Sequence, residues 1–335
     1  MKLLKNLLVV CSLILLLFSC KQQGDVKLGF LIPATEGSRW IIDKGFVEKV
    51  AAERGVEILV RSAENDENLQ LKQASELLDE GVDVLIVVPS NSNTSAAIVR
   101  DAHDKGVPVI AYDRLIKNCD LDYLVTYEGA KIGQLMVEHA VQKVPKGNYV
   151  VLFGDAGDVN AISIKNAQEE FLKPYVDRGD IKIIYKTYVE NWNMMNAYQI
   201  MKQVLAFSDQ KIDVVITSYD GVAMGVLKAL EEDGNKTVTV LTGQDSEIGA
   251  IKAIVDGRMS LTVYKSIRET AEAAVDLAIK MARGEKIAKA KATINNGRKE
   301  VPMLLLEPVA VDKNNIRSTV IADKYYTEEE VYGTK

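Results

Sequence analysis

The sequence predicts an α/β protein made of two similar, doubly wound parallel-sheet lobes, and three observations predict it. Apolar runs with no in/out alternation, clearest at Val82 to Val88 and Val107 to Tyr112, suit strands covered by helices on both faces. Helical stripes lie between such runs and stop at glycines that can close a helix in the left-handed conformation: Gly55, Gly81 and Gly106. The β–α rhythm also breaks over 123–133 and then starts afresh, so the chain holds two units.

The elements follow in order. Val26 to Ile32 is strand-like, and Ile41 to Arg54 carries the stripe Ile42, Phe46, Val47, Val50 and Ala51. Val56 to Val60 is the next strand, and Leu69 to Glu80 places Leu71, Ala74, Leu77 and Leu78 on one helix face. Pro89 stops the Val82–Val88 strand, Ser90 to Ser95 supplies turn and cap residues, and Ser95 to Lys105 reads as a helix. Val107 to Tyr112 then delivers Asp113 and Arg114 at its C-terminal end, the edge where a βαβ unit binds ligands. An irregular stretch, 115–122, leads to a strand at Tyr123 to Thr126.

In the second unit, strands are expected at Tyr149 to Phe153, Ile181 to Thr187, Val214 to Thr217, Thr237 to Leu241 and Met259 to Val263. Helices are expected at Ala161 to Leu172 (ending before Pro174), Met194 to Phe207, Val222 to Glu231, Ile248 to Asp256 and Glu269 to Arg283. Short strand-like pieces at Val301 to Leu306 and Val309 to Asp312 precede a polar end.

Composition narrows the class. At 335 residues, 47% hydrophobic and 26% charged, the chain can bury a substantial core, and its length favours two domains. A formal charge of −6 gives no basic excess to neutralise phosphates, which argues against nucleic acid. Two histidines and three cysteines fall in no zinc-finger or HExxH spacing, so no metal site is expected.

Lys2 and Lys5 followed by the apolar run Leu7 to Phe18 read as an export signal over residues 1–19, too short for a permanent membrane span. The run ends in Leu17-Phe18-Ser19-Cys20, which resembles a bacterial lipobox and makes Cys20 the expected lipidation site; an ordinary secretory signal is the alternative. Losing Lys2 and Lys5 takes the formal charge from −6 to −8. Residues 20–25 read as a tether, and Cys119 is left without a disulfide partner.

GxGxxG, GxxxxGK[ST] and a GxSxG elbow after a strand are all absent from the sequence, so nothing calls for a cofactor or an enzyme. What recurs is a polar or aromatic residue just after each strand: Arg114, Asp158 with Asn160, Trp192, Tyr219 with Asp220, Asp245 and Lys265, with Arg39-Trp40 before the first helix. Parallel strands would aim all of these at one edge. Carboxylates, an amide, a guanidinium and an ammonium together suit a neutral polyhydroxyl ligand, whose hydroxyls both donate and accept. Other readings stand beside this one. Trp40 and Trp192 could be core aromatics, Asp220 a helix cap, Asp155 a turn residue and Arg114 a solvated loop residue.

At this point the chain resembles the periplasmic sugar-binding proteins of ABC transporters, and within them the D-xylose-binding type. The resemblance is carried in order by VKLGFLI, SRW, SAENDENLQ, GVDVLIVVPSN, VIAYDR, DVNA, TGQD, LTVYK and NNGRKEVPMLLLEPVAVDKNNI. It implies the type I periplasmic binding protein fold, with lobes joined by a three-strand hinge near 127–132, 265–268 and 296–301. The N-terminal lobe would hold 26–130 plus 267–298, and the C-terminal lobe 131–266 plus 299–335.

The resemblance also implies sugar contacts at Arg39, Arg114, Asp158, Asn160, Trp192, Asp245 and Lys265, with Trp40 and Tyr219 at the wall. Ser218-Tyr219-Asp220 departs from the family's Ser-Asn-Asp, putting a ring where a small amide is usual. The implied function is capture of a monosaccharide, D-xylose or a related pentose or hexose, by lobe closure and delivery to an ABC permease. The implied protein is a lipid-anchored monomer in the periplasm or at the cell surface. Presenting bound sugar to a membrane sensor kinase or chemoreceptor is the alternative.

Overall fold

The computed structural model describes residues 26–34, 39–208, 210–234 and 238–333. The signal segment 1–19, Cys20 and the 20–25 tether lie outside the described residues. The chain opens with β1 (Lys27–Ile32), α1 (Trp40–Glu53), β2 (Glu57–Ser62), α2 (Glu67–Asp79), β3 (Val84–Val87), α3 (Ala96–Asp104), β4 (Val109–Tyr112) and β5 (Tyr123–Tyr127). There follow α4 (Gly129–Lys143), β6 (Gly147–Phe153), α5 (Val159–Asp177), β7 (Ile181–Tyr188), α6 (Met194–Phe207), β8 (Val214–Thr217), α7 (Asp220–Asp233), β9 (Val240–Gln244), α8 (Ile248–Val255) and β10 (Leu261–Tyr264). The chain ends with α9 (Ile267–Ala282), β11 (Ala292–Asn295), β12 (Glu300–Leu306), β13 (Val309–Val311), a π-helical turn at Arg317–Ile321 and α10 (Glu328–Tyr332).

Two sheets result, in the orders β11-β12-β5-β4-β3-β1-β2 and β13-β10-β9-β8-β6-β7. Each is parallel except at one end, where β11 runs antiparallel to β12 and β13 antiparallel to β10. Every residue of β3, β4, β8 and β10 is buried, as their unbroken apolar runs require. Helices cover both faces of each sheet, so each sheet has a core on either side: α1 and α9 over one face of the first and α2 and α3 over the other. The second sheet is packed likewise by α6, α7 and α8 on one face and α4 and α5 on the other.

Three departures from the sequence reading have physical reasons. Helix α4 fills the stretch taken as a break. Its stripe of Ile132, Met136, Val137, Ala140 and Val141 is helical. Gly133 is there for contact: a Cβ would lie 2.5 Å from the Ile164 carbonyl oxygen and 2.9 Å from Ala167 Cβ, so only glycine lets α4 lie against α5. Helix α5 runs on through Pro174 to Asp177. The polar end carries the turn at Arg317–Ile321 and α10, whose Thr327 and Glu330 form a capping box.

A fourth departure corrects a boundary. The resemblance implies a C-terminal lobe that takes in residues 299–335, with a crossover at 296–301. Strand β12 instead pairs in parallel with β5 in the first sheet, from Met303 opposite Leu124 to Leu306 opposite Tyr127. The third crossover therefore lies between Leu306 and Val309, beside those at Tyr127–Gly129 and Tyr264–Ile267. Hydrogen bonds tie these passages together. Tyr127 donates its hydroxyl to the Ser266 carbonyl at 2.8 Å, and Asp323 accepts from Ser266 Oγ at 2.8 Å and Tyr264 OH at 3.1 Å.

Candidate functional site

Parallel strands all end on the same edge of their sheet, and here the C-terminal edges of the two sheets face each other across a cavity of about 550 Å³. All nine residues singled out from the sequence line it: Arg39, Trp40, Arg114, Asp158, Asn160, Trp192, Tyr219, Asp245 and Lys265. The first sheet's lobe supplies Arg39, Trp40 and Arg114, and the second sheet's lobe supplies the rest, with Lys265 at the end of β10.

Charge pairs cross the gap. Arg39 lies 3.5 Å from Asp245 and 3.7 Å from Asp113, and Lys265 lies 3.0 Å from Asp245 and 3.4 Å from Asp113. Asn160 Nδ2 adds a bond of 3.2 Å to the Asp113 carbonyl. Two cations and two carboxylates thus alternate, one of each sign per lobe. Burial lowers the Arg39 pKa, but the neighbouring carboxylates of Asp43, Asp113 and Asp245 outweigh it and hold the guanidinium charged. Burial raises Asp113, yet Lys265, Arg39 and Arg114 overcome that and bring its carboxyl down to about 2.

Asp113 is therefore a linkage group. Its pKa is depressed in the folded state, so its stabilising contribution is present above about pH 4 and lost as pH falls toward 2. The stability gap between the parent and Asp113→Asn, measured by urea unfolding, should shrink from pH 5 to pH 2.5. A gap that stays constant over that range would show that Asp113 is not held by the cations.

The backbone at these strand ends is strained. Asp113 (φ 64°), Asn191 (55°), Trp192 (54°), Asp245 (90°) and Ser246 (53°) sit in the left-handed region without being glycine. Each such residue costs on the order of 1–3 kcal/mol and persists only where its surroundings fix it. Thr126 Oγ1 donates to the Asp113 carbonyl at 2.9 Å, Thr262 Oγ1 accepts from Ser246 N at 3.1 Å, and Asp155 accepts from Asn191 N at 2.6 Å. Asp155 is thus a turn residue that braces the Asn191–Trp192 bend.

The two tryptophans differ. Trp40 is buried in the first lobe's core, and the guanidinium groups of Arg39 and Arg114 lie 4.8 and 5.3 Å from its ring centre, so it presents two cations to the cavity. Trp192 belongs to neither core; it is half-buried on the cavity wall, edge-on to Tyr219 at 6.0 Å. Asp158 caps α5 by accepting from Asn160 N at 2.8 Å. Asp220 does not cap its own helix: fully buried, it takes Thr262 Oγ1 at 2.9 Å and Glu247 N at 2.8 Å. Burial and the nearby Glu247 push its pKa well up.

Four residues escaped the sequence reading. Asp43, one turn after Arg39, is fully buried; it accepts from Arg39 Nε and Nη2 at 3.2 Å each and from Tyr112 OH at 2.7 Å, fixing the guanidinium from behind. Asp113 directly precedes Arg114 in the chain. Gln244 and Glu247 flank Asp245 and also line the cavity. The only signal for all four was closeness in the chain to a chosen residue.

Two α/β lobes on a three-passage hinge, with both contributing polar groups to one cleft, define a protein that binds a small ligand between its halves. A model of the periplasmic binding protein domain matches residues 28–286, and the chain belongs to that family. It is 37% identical over 331 residues to the D-xylose-binding periplasmic protein of Escherichia coli (strain K12), spanning 99% of this chain and all of that one. It is 31% identical over 325 residues to a multiple sugar-binding periplasmic protein of Azospirillum brasilense, 91% of each. Among solved structures, an ABC transporter solute-binding protein from Clostridium phytofermentans with bound β-D-glucose superposes with a TM-score of 0.82 at 29% identity, covering 91% of this chain and 99% of that one.

Proposed function

We propose that this protein is an extracytoplasmic receptor that captures a neutral monosaccharide, D-xylose or a related pentose or hexose, by lobe closure and hands it to an ABC permease. One observation carries the reading: Arg39 and Asp113 of one lobe and Asp245 and Lys265 of the other form four cation–carboxylate pairs of 3.0–3.7 Å at a single cavity. A ligand that bonds to all four is held by both lobes at once, and contacts completed only on closure supply the differential affinity that favours the closed form. A sugar suits this mixture because each hydroxyl can donate to a carboxylate and accept from a cation, with no net charge to balance. The exposed side of the Trp192 ring offers an apolar face for the sugar's C–H groups.

The relatives named for D-xylose and for several sugars, and the relative with bound β-D-glucose, support the substrate class. The chain acts as a monomer, held at the membrane by lipid on Cys20 after loss of residues 1–19. A thermal-shift screen against monosaccharides tests the reading, because ligand at 100 times its dissociation constant adds about 2.7 kcal/mol of stability. D-Xylose or D-glucose should raise the midpoint, and a panel with no effect would reject sugar capture. Mass spectrometry of the exported protein tests the anchor: an unmodified N-terminus at Cys20 would remove it.

A further inference from the structure

The neighbouring strands β8, β9 and β10 are tied together at their C-terminal ends by buried polar groups that the cavity itself does not use. Asp220, the first residue of α7, lies at the centre. It is fully buried, so its carboxylate is spent inside the lobe. Oδ2 accepts the Glu247 amide at 2.8 Å, and the Thr262 hydroxyl donates to the carboxylate, 2.9 Å from Oδ1 and 3.0 Å from Oδ2. A Cβ on Gly243 would overlap that carboxylate, so glycine in β9 makes room for it.

Thr262, in β10, is fully buried too. Its one proton goes to Asp220, and its oxygen is left to accept the Ser246 amide at 3.1 Å. One residue pair thus grips the segment after β9 twice, at Ser246 through Thr262 and at Glu247 through Asp220. The gripped segment is strained, with Asp245 at φ 90° and Ser246 at φ 53°. Backbone of this kind persists only where its surroundings over-determine it. Asp245 is also the carboxylate that meets Lys265 at 3.0 Å and Arg39 at 3.5 Å.

We infer that Thr262 and Asp220 are positioning residues for ligand binding: their buried hydroxyl–carboxylate pair holds Asp245 and Ser246 in the left-handed turn and so aims the Asp245 carboxylate into the cleft. The inference rests on the proposed sugar capture and adds what keeps one of its contacts in place. A carboxylate fixed beforehand binds without an ordering cost, whereas a segment free to relax must be ordered again by each ligand.

The test is calorimetry on the full-length protein with whichever of D-xylose and D-glucose binds more tightly. Thr262→Val keeps the branched shape and removes the hydroxyl; Thr262→Ser keeps the hydroxyl and removes the methyl. Thr262→Val strands the Ser246 amide and should weaken the sugar about tenfold. Thr262→Ser should bind like the parent. In an Asp245→Asn background Thr262→Val should cost little more, because the carboxylate it would misplace is already gone. Parent-like affinity in Thr262→Val, even with a lowered unfolding midpoint, would make the pair purely structural and overturn the inference. Equal weakening in the Val and Ser variants would do the same by pointing to packing, and an undiminished loss in the Asp245→Asn background would show that the pair does not act through Asp245. Each of these leaves sugar capture intact, whereas a parent protein that binds neither sugar would remove both.

Discussion

Asp245→Ala lowers affinity for the captured monosaccharide at least about tenfold, equivalent to about 1.4 kcal/mol. The carboxylate lies 3.5 Å from Arg39 and 3.0 Å from Lys265, and all three side chains are at most 12% exposed. Removing one partner of a buried, hydrogen-bonded charge pair costs about 2–5 kcal/mol, mostly because the other charge is stranded. Asp113 stays within 3.7 Å of Arg39 and 3.4 Å of Lys265 and takes part of the load, which sets the expectation toward the lower end. The φ of 90° at this position suits alanine poorly, so backbone relaxation adds to the effect. Asp245→Asn separates the two causes, since asparagine tolerates the left-handed region and removes only the charge. Calorimetry on both variants reads the result. Parent-like affinity in both would remove Asp245 from the ligand's contacts.

What was legible in the sequence followed from periodicity. Unbroken apolar strands and glycine-stopped helices gave both sheets, because a doubly wound fold writes its burial directly into the chain. The site followed from the same logic: once strands are parallel, the residues after them share an edge. Where two uses of one residue type compete, the reading failed. Gly133, at the end of the stretch that reads as a break, is a helix–helix contact point. The crossover that the resemblance implies at 296–301 puts strand β12 in the wrong lobe, and its apolar run suits either sheet; pairing with β5 assigns it.

The missed site residues have a common character as well. Asp43 acts through Arg39, and in a sequence a carboxylate one turn into a helix is indistinguishable from a solvated one. Gln244 ends a strand whose other members are core, and Glu247 occupies a position where an acid ordinarily caps a helix. Their roles come from what the fold brings near them: Tyr112 under Asp43, and Tyr219 beside Glu247.

Gly154→Ala is expected to cost sugar affinity by a similar factor, about tenfold, with little loss of fold stability. Strand β6 ends at Phe153, and the Trp192 indole lies flat on the next residue: a Cβ on Gly154 would overlap ring atoms Cη2, Cζ3 and Cζ2. The ring is held there from other directions too, since Asp155 takes the Asn191 amide, Val189 takes the Trp192 amide at 3.1 Å, and Tyr219 meets the ring edge-on. One methyl group therefore cannot be absorbed by a small slide. The indole must swing out, and its stacking face leaves the cavity with it. Trp192 belongs to no hydrophobic core, so the swing disturbs little packing, and this is why affinity rather than stability should report the change. Trp40, the other tryptophan, also lines the cavity, so the ligand-induced fluorescence is read in a Trp40→Phe background, where Trp192 is the single tryptophan. Gly154→Ala with the parent's affinity and the parent's fluorescence response would mean that the ring's position against Gly154 has no bearing on the ligand.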